Sequence, residues 1–148
     1  MPKCSDVMTP EPACCEPGES IAGVAEIMKR EDVGAVPVVD SRESRRLVGI
    51  VTDRDIVVKV VAKGGDLQGA TARDAMTGSP AVCQEDDDVN QAVNNMAEHQ
   101  VRRMPVVDRD GRLTGIIAQA DVATRVNRDK TTGALVEAIS EPGSGSRG

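Results

Sequence analysis

The sequence predicts an α+β fold, sandwich-like, made of two β-α-β-β-α repeats related by a pseudo-two-fold axis. The first observation is internal duplication. A shift of 68 residues lays Asp6, Met8, Thr9, Pro12, Ala13, Cys15 and Met28 onto Asp74, Met76, Thr77, Pro80, Ala81, Cys83 and Met96, and the register runs on through Pro37-Val38-Val39-Asp40 and Pro105-Val106-Val107-Asp108. After a loop two residues longer in the first copy, a shift of 66 lays Gly49, Ile50 and Asp55 onto Gly115, Ile116 and Asp121. The second observation is that each copy changes from helical to strand-like apolar spacing and back at matching places. The third is length: 148 residues suit one domain of two half-domains. A repeat of this size stacks on its twin because it cannot cover its apolar face alone. The functional question therefore centres on the cleft along the two-fold axis.

Each copy opens with an extended Met-Thr segment, Met8-Thr9 or Met76-Thr77, which runs through a proline to a short strand near Ala13 to Cys15 or Ala81 to Cys83. A capped helix follows. Ser20 precedes Ile21, Val24, Ala25 and Met28, and Asp88 precedes Val89, Ala92, Val93 and Met96, each at helical spacing behind an N-cap residue. Two strands come next, Ala35 to Val39 and Leu47 to Thr52, with counterparts Arg103 to Val107 and Leu113 to Ala118. Second helices are expected from about Asp53 to Lys63 and from Gln119 to Asn127, although the β-branched run Ile56-Val57-Val58 also suits a strand. These elements place the first repeat at 6–69, the second at 70–129, a closing helix at 130–140 and a disordered Gly/Ser-rich tail at 141–148.

Composition narrows the function classes. The chain contains no Phe, Tyr or Trp, so its core packs from aliphatic residues, and a bound purine would lie against aliphatic walls and be read by backbone groups. A net charge of -6 argues against general nucleic-acid binding. Arg42, Arg45 and Arg46 read as a solvated loop, and Arg102 with Arg103 as a strand edge. No apolar run reaches membrane-spanning length and Met1-Pro2-Lys3-Cys4 opens no leader pattern, so the expectation is a cytoplasmic protein. Cys4, Cys14, Cys15 and Cys83 form no C-x-x-C pair, and the single histidine, His99, has no metal-like spacing to them. Cys15 and Cys83 occupy equivalent positions and read as reduced thiols filling matching apolar sites; a disulfide at Cys14 or Cys15 is the minor alternative.

The sharpest chemical motif is Gly49-Ile50-Val51-Thr52-Asp53-Arg54-Asp55. Glycine permits close backbone approach, and a helix beginning after Thr52 would offer unpaired N–H groups to an anion. Thr-x-x-Asp is equally a capping box, in which hydroxyl and carboxylate satisfy the helix's own N–H groups. Both readings stand at this point. The second copy keeps the acid at Asp121 but has Ala118 in place of the hydroxyl, and it supplies Arg103 where the first copy has Ala35. The alternative role for Arg103 is pairing with a surface acid such as Glu98 or Asp108. Catalytic constellations are missing: Gly64 to Gly69 has P-loop glycine spacing but is followed by Ala70-Thr71, without the lysine. The run Glu85-Asp86-Asp87-Asp88 reads as cap and dipole complement to the helix after it.

Twice-repeated strand-helix-strand-strand-helix order, with Met-Thr openings, Pro-Val-Val-Asp and Gly-apolar-apolar-Thr-x-x-Asp, resembles the CBS-domain family from Asp6 to about Asn127. Asp53-Arg54-Asp55-Ile56-Val57, Glu98 to Arg103 and Val136-Glu137-Ala138-Ile139 are similar to stand-alone actinobacterial members of the hypoxic response protein 1 type. That resemblance implies a Bateman module with no attached enzyme, in a stress-response setting. It assigns Asp55 to ribose hydroxyls, Thr52 to ribose or phosphate, and Ile50, Ile116 and the short strands to adenine walls. Asp121 would serve the second cleft, and Arg103 or Arg102 a phosphate. The implied regulatory ligand is AMP, ADP, ATP, NAD or S-adenosylmethionine, with no required cofactor or metal. The alternative is a ligand-free dimerisation and protein-interaction module, favoured by Ala118 and Ala35. In the family such modules form homodimers through their helices, here through Ile21, Val24, Met28, Val89, Val93 and Met96, and an unidentified protein partner would read the state.

Overall fold

In the computed structural model, residues 2–124 are described. They form α1 (Cys4–Val7), β1 (Thr9–Pro10), α2 (Ile21–Glu31), β2 (Ala35–Val39), β3 (Leu47–Thr52) and α3 (Asp53–Ile56), which runs on as a π turn over Val57–Val61. The second half contains α4 (Ala72–Ala75), β4 (Thr77–Gly78), β5 (Cys83–Gln84), α5 (Val89–Glu98), β6 (Arg103–Val107) and β7 (Leu113–Ala118). Residues 119–124 are helical. The expected closing helix and tail, 130–148, lie outside the described residues. Among the described residues no helix is long and apolar enough to cross a membrane.

Capping residues set the helix starts as expected. Ser20 Oγ accepts the Gly23 N–H at 3.1 Å, and the Asp88 carboxylate accepts the Asn90 N–H at 2.8 Å. The acidic run thus does act as a cap. Helix α2 ends at Asp32 and α5 near Gln100, both in the left-handed region at φ 55 and 56.

The second-helix expectation needs one correction. Val57 to Val61 is helical but wound as a π turn, with the Ala62 N–H donating to Val57 O at 2.8 Å. Crowding of successive β-branched side chains against the preceding turn favours the wider winding.

The Met-Thr openings are extended as expected, and sheet topology adds that each pairs with the other repeat. Strand β1 lies antiparallel to β7, with Thr9 opposite Ile116, and β4 lies antiparallel to β3, with Thr77 opposite Ile50. One sheet therefore runs β1-β7-β6-β5 and the other β2-β3-β4. The strand expected at Ala13 to Cys15 reduces to a single parallel bridge between Cys15 and Val38, while its counterpart β5 pairs parallel with β6. Pro37 fits β2 because its carbonyl, and hence its missing donor, faces the edge where only Cys15 approaches.

Each core is completed by the arm of the opposite copy. Ala72 and Ala75 of α4 join Ile21, Val24, Val36 and Val51, whereas Cys4 of α1 joins Val89, Met96, Met104 and Ile117. Each half therefore buries apolar side chains supplied by the other, which couples the two. At the axis, the Leu47 N–H donates to Gly111 O at 3.1 Å and the Leu113 N–H to Arg45 O at 2.7 Å, a symmetric pair of bonds.

Burial also corrects the expected dimer surface. Ile21, Val24, Val89 and Met96 are fully buried inside the chain, and Met28 and Val93 pack partly against the same cores. The exposed apolar side chains lie elsewhere, at Val57, Val58 and Val61 of the π turn. Helical spacing identified the apolar face but could not say that the chain's own sheet already covers it. Cys15 and Cys83 are buried as expected, and all four cysteines are free.

Candidate functional site

Two cavities related by the pseudo-two-fold axis open where each crossed arm meets the opposite sheet. One, of about 380 Å³, is lined by Ile50, Thr52 and Asp55 of the first repeat and by Thr77, Pro80, Ala81, His99, Val101, Arg103 and Pro105. The other, of about 490 Å³, is lined by Thr9, Pro12, Ala13, Val33, Ala35, Ile116, Ala118 and Asp121, with Glu11, Glu31 and Arg103. Both fall in the size range of small-molecule sites, about 300–1,000 Å³.

Backbone symmetry builds the walls. Ser79 and Glu11 occupy equivalent positions and share a left-handed backbone, φ 47 and 46, although neither is glycine. Strained non-glycine residues at a cavity rim are held there by the surrounding fold. Ile50 and Ile116 each line one cavity and are only partly buried, so neither is an ordinary core residue. Ala13 and Ala81 also line cavities, while Cys15 and Cys83 are enclosed in the cores.

At the first cavity the capping reading of Thr-x-x-Asp is realised, by residues that also stand in the cavity wall. The Thr52 N–H donates to Asp55 Oδ2 at 3.0 Å and the Asp55 N–H to Thr52 Oγ1 at 3.1 Å, a complete capping box. Asp55 Oδ1 also forms an ion pair with Lys59 Nζ at 3.3 Å, one helical turn away, and that ammonium donates to Ala75 O at 3.1 Å. Yet both side chains line the cavity. Thr52 uses its oxygen as acceptor and keeps its hydroxyl proton to donate, and each carboxylate oxygen retains a further lone pair.

One expectation fails here. The first turn of α3 does not present free N–H groups to an anion: the Asp53 N–H donates to Gly34 O at 2.9 Å, the Arg54 N–H to Asp53 Oδ1 at 2.8 Å, and the Asp55 N–H to Thr52. The helix is capped by its own acids, which leaves positive side chains to meet any anion.

Arg103 is such a side chain. It lines both cavities, and its Nη1 lies 3.4 Å from the point a Cβ on Gly34 would occupy, with Asp53 Oδ2 at 3.1 Å from the same point. Among the described residues it forms no ion pair or hydrogen bond, so pairing with Glu98 or Asp108 is not adopted. Asp108 instead accepts the Asp110 and Arg112 N–H groups of its own loop at 2.9 and 3.0 Å. Arg102 lines neither cavity; its carbonyl accepts the Gln119 N–H at 2.8 Å, and strand alternation turns neighbouring side chains apart.

No chemical motif in the sequence marks His99 as a site residue. Its signal was positional: it stands 68 residues after Glu31, and the two line opposite cavities. Its Nδ1 lies 2.9 Å from Asn95 O, and a carbonyl only accepts, so Nδ1 carries the proton and Nε2 is left available.

The cavities therefore differ in charge. Around the first stand Arg103, His99 and an Asp55 already paired with Lys59. Around the second stand Glu11, Glu31 and Asp121 against the shared Arg103. Asp121 has no capping hydroxyl beside it, since Ala118 holds that position, and among the described residues its carboxylate accepts no hydrogen bond. Among the same residues no group of His, Cys, Asp and Glu side chains forms a metal site.

Comparison with known proteins agrees with the fold. The model for the CBS domain matches residues 4–62 and 72–128. Hypoxic response protein 1 of Mycobacterium tuberculosis is 37% identical over 118 residues, covering 80% of this chain and 80% of that protein. The solved structure of the CBS-pair protein CBSX2 of Arabidopsis thaliana in complex with AMP superposes with a TM-score of 0.76 at 29% identity, covering 88% of this chain and 99% of that one. The CBS domain pair of MJ0100, solved with 5'-methylthioadenosine and S-adenosyl-L-methionine, gives 0.74 at 26% identity, covering 86% and 97%.

Proposed function

This chain belongs to the CBS domain family, and from that premise we propose that it is a non-catalytic sensor whose Asp55 cavity binds an adenine nucleotide or another adenosyl ligand. One observation carries the reading: the cavity of about 380 Å³ brings Ile50, Thr52 and Asp55 of one repeat together with His99 and Arg103 of the other. The assignment follows from their chemistry. Adenine lies against Ile50, Pro80, Ala81 and Val101, the ribose hydroxyls donate to Asp55, and the phosphate accepts from Thr52 and Arg103. Bonds to an ionised partner are the stronger kind, so the carboxylate and guanidinium set the orientation.

Because both repeats contribute, the ligand ties them together. It can shift their arrangement only by its difference in affinity for the two states. The acidic rim of the Asp121 cavity, with Glu11 and Glu31, disfavours polyphosphates there. AMP, ADP, ATP, NAD and S-adenosylmethionine are the ligands to titrate. One present at about a hundred times its dissociation constant adds roughly 2.7 kcal/mol, or about 5–10 °C in melting temperature for a chain of this size. Absence of both calorimetric heat and melting shift for all five would end the sensor reading.

A second reading, a dimerisation module that needs no ligand, is favoured by one feature. Val57, Val58 and Val61 are 56, 47 and 52% exposed on a single π turn. On this reading a second copy covers these valines, in place of the helix faces named from the sequence. Light scattering is expected to show a dimer that Val58→Lys with Val61→Glu converts to monomer. A wild-type monomer at about 100 μM, a concentration where a micromolar dimer would persist, removes this reading without touching the first.

A further inference from the structure

Of the four cysteines, two meet, and they are not the vicinal pair. Cys4 opens α1 and Cys83 opens β5; they are 0 and 1% exposed and lie in one core cluster. The backbone holds the arm against the strand's exit, where the Cys4 N–H donates to Asp87 O at 2.8 Å and the Ser5 N–H to Glu85 O at 3.1 Å. Within that core each thiol is the largest influence on the other's titration, and the Cys83 thiol also donates to Pro105 O at 3.9 Å. The first repeat has no such pair, because the position matching Cys4 is Ala72 and leaves Cys15 without a thiol partner across the core.

We propose that Cys4 and Cys83 form a reversible disulfide that fastens the amino-terminal arm to the sheet of the second repeat.

The local chemistry divides the roles. The neighbouring Cys83 thiol holds the Cys4 thiol below its ordinary range, against burial and the carboxylates of Asp87 and Asp88. Cys83 is raised by Cys4 and by burial. Cys15, by contrast, is pushed up to about 12 by burial and by Glu19. Cys4 is thus the attacking sulfur and Cys83 the resolving one.

With a hydroperoxide as oxidant, the Cys4 thiolate attacks the O–O bond, taking one oxygen as sulfenic acid and releasing water or alcohol. The Cys83 sulfur then attacks that sulfenic sulfur and expels a second water. Two thiols and one peroxide become one disulfide, and a dithiol reverses the bond by exchange. Entry requires only that α1 lift. It is a single turn of four residues near the chain start, the kind of element that opens locally at small cost.

The bond would act on the arm. From α1 the chain passes directly into β1, whose Thr9 and Pro10 pair with β7 and form a wall of the Asp121 cavity. Anchoring Cys4 shortens the free arm to the few residues before that wall.

The test is hydrogen peroxide treatment of the folded protein, followed by digestion without reductant and mass spectrometry. The expected product is one cross-linked peptide pair joining Cys4 to Cys83, released by dithiothreitol and missing in Cys4→Ser. Closing so long a loop is expected to raise the melting temperature by about 10 °C, a comparison of oxidised with reduced wild type that no variant's folding can confuse. Cys4 and Cys83 remaining alkylatable after unfolding, while Cys14 or Cys15 is oxidised, overturns the proposal. So does a cross-link between any other pair.

Discussion

Asp55→Ala is expected to weaken adenine-nucleotide binding by about 100-fold, against less than about threefold for Asp121→Ala. Two ribose hydroxyls donating to one carboxylate are worth about 3 kcal/mol, which is the 100-fold. Asp121 lines the acidic cavity and no part of the Asp55 cavity. Asp55→Ala also breaks the capping box and removes the ion pair to Lys59, which keeps only its bond to Ala75 O, so it costs about 1 kcal/mol of stability. Asp55→Asn separates the two effects. The amide oxygen still accepts the Thr52 N–H, so most of the stability returns, while the lost charge leaves ribose binding weak. Calorimetric titration beside urea unfolding measures both. Equal losses of affinity at Asp55 and Asp121 would mean that the ligand occupies the other cavity.

Gly49→Val is expected to destabilise the protein by about 3 kcal/mol and to abolish the first cavity. A Cβ at Gly49 would stand 2.6 Å from Met76 Sδ and 3.0 Å from Thr77 O. The methionine can turn away, but the carbonyl belongs to β4, which pairs with β3 at this residue, Gly49 opposite Gly78. Relief therefore requires β4 to peel off, taking Thr77 and the turn to Pro80 out of the cavity wall; overpacking of this kind costs about 1–3 kcal/mol or more. Gly115→Val repeats the clash with Met8 and Thr9 O in the other sheet. Gly18→Ala, with nothing near its added methyl, is the control, expected to stay within about 0.5 kcal/mol. Urea denaturation checks all three, and a Gly49→Val protein as stable as the control would show that the crossed strand contributes little.

Much of this was readable before any coordinates. The 68-residue repeat, the caps at Ser20 and Asp88, the strands around Pro37 and Pro105, and the buried Cys15 and Cys83 all follow from local preference and spacing. Such signals depend on neighbours a few residues away, which any stretch of chain reports about itself. The contest between capping and ligand contact at Asp55 was also visible, though posed as a choice when the geometry permits both.

Three features lay beyond that reach. Periodicity says that Ile21 and Met96 seek apolar surroundings, not that the opposite arm's Ala72 or Cys4 completes them, and two copies with the same apolar pattern make pairing within and between repeats equally consistent with it. At the start of α3 the acceptors for Arg54 and Asp55 are local, Asp53 Oδ1 and Thr52 Oγ1, but the acceptor for the Asp53 N–H, Gly34 O, becomes a partner only when β2 and β3 are laid side by side. Arg103 could be counted as a charge, but its place between two cavities arises from the crossing of strands about the axis. Residue order thus dictated each repeat's elements and its apolar faces, since those depend on short-range sterics and solvent aversion. Which copy covers which face, and which charges share a cavity, was settled by long-range packing, where the energy depends on distances between groups that sequence position does not encode.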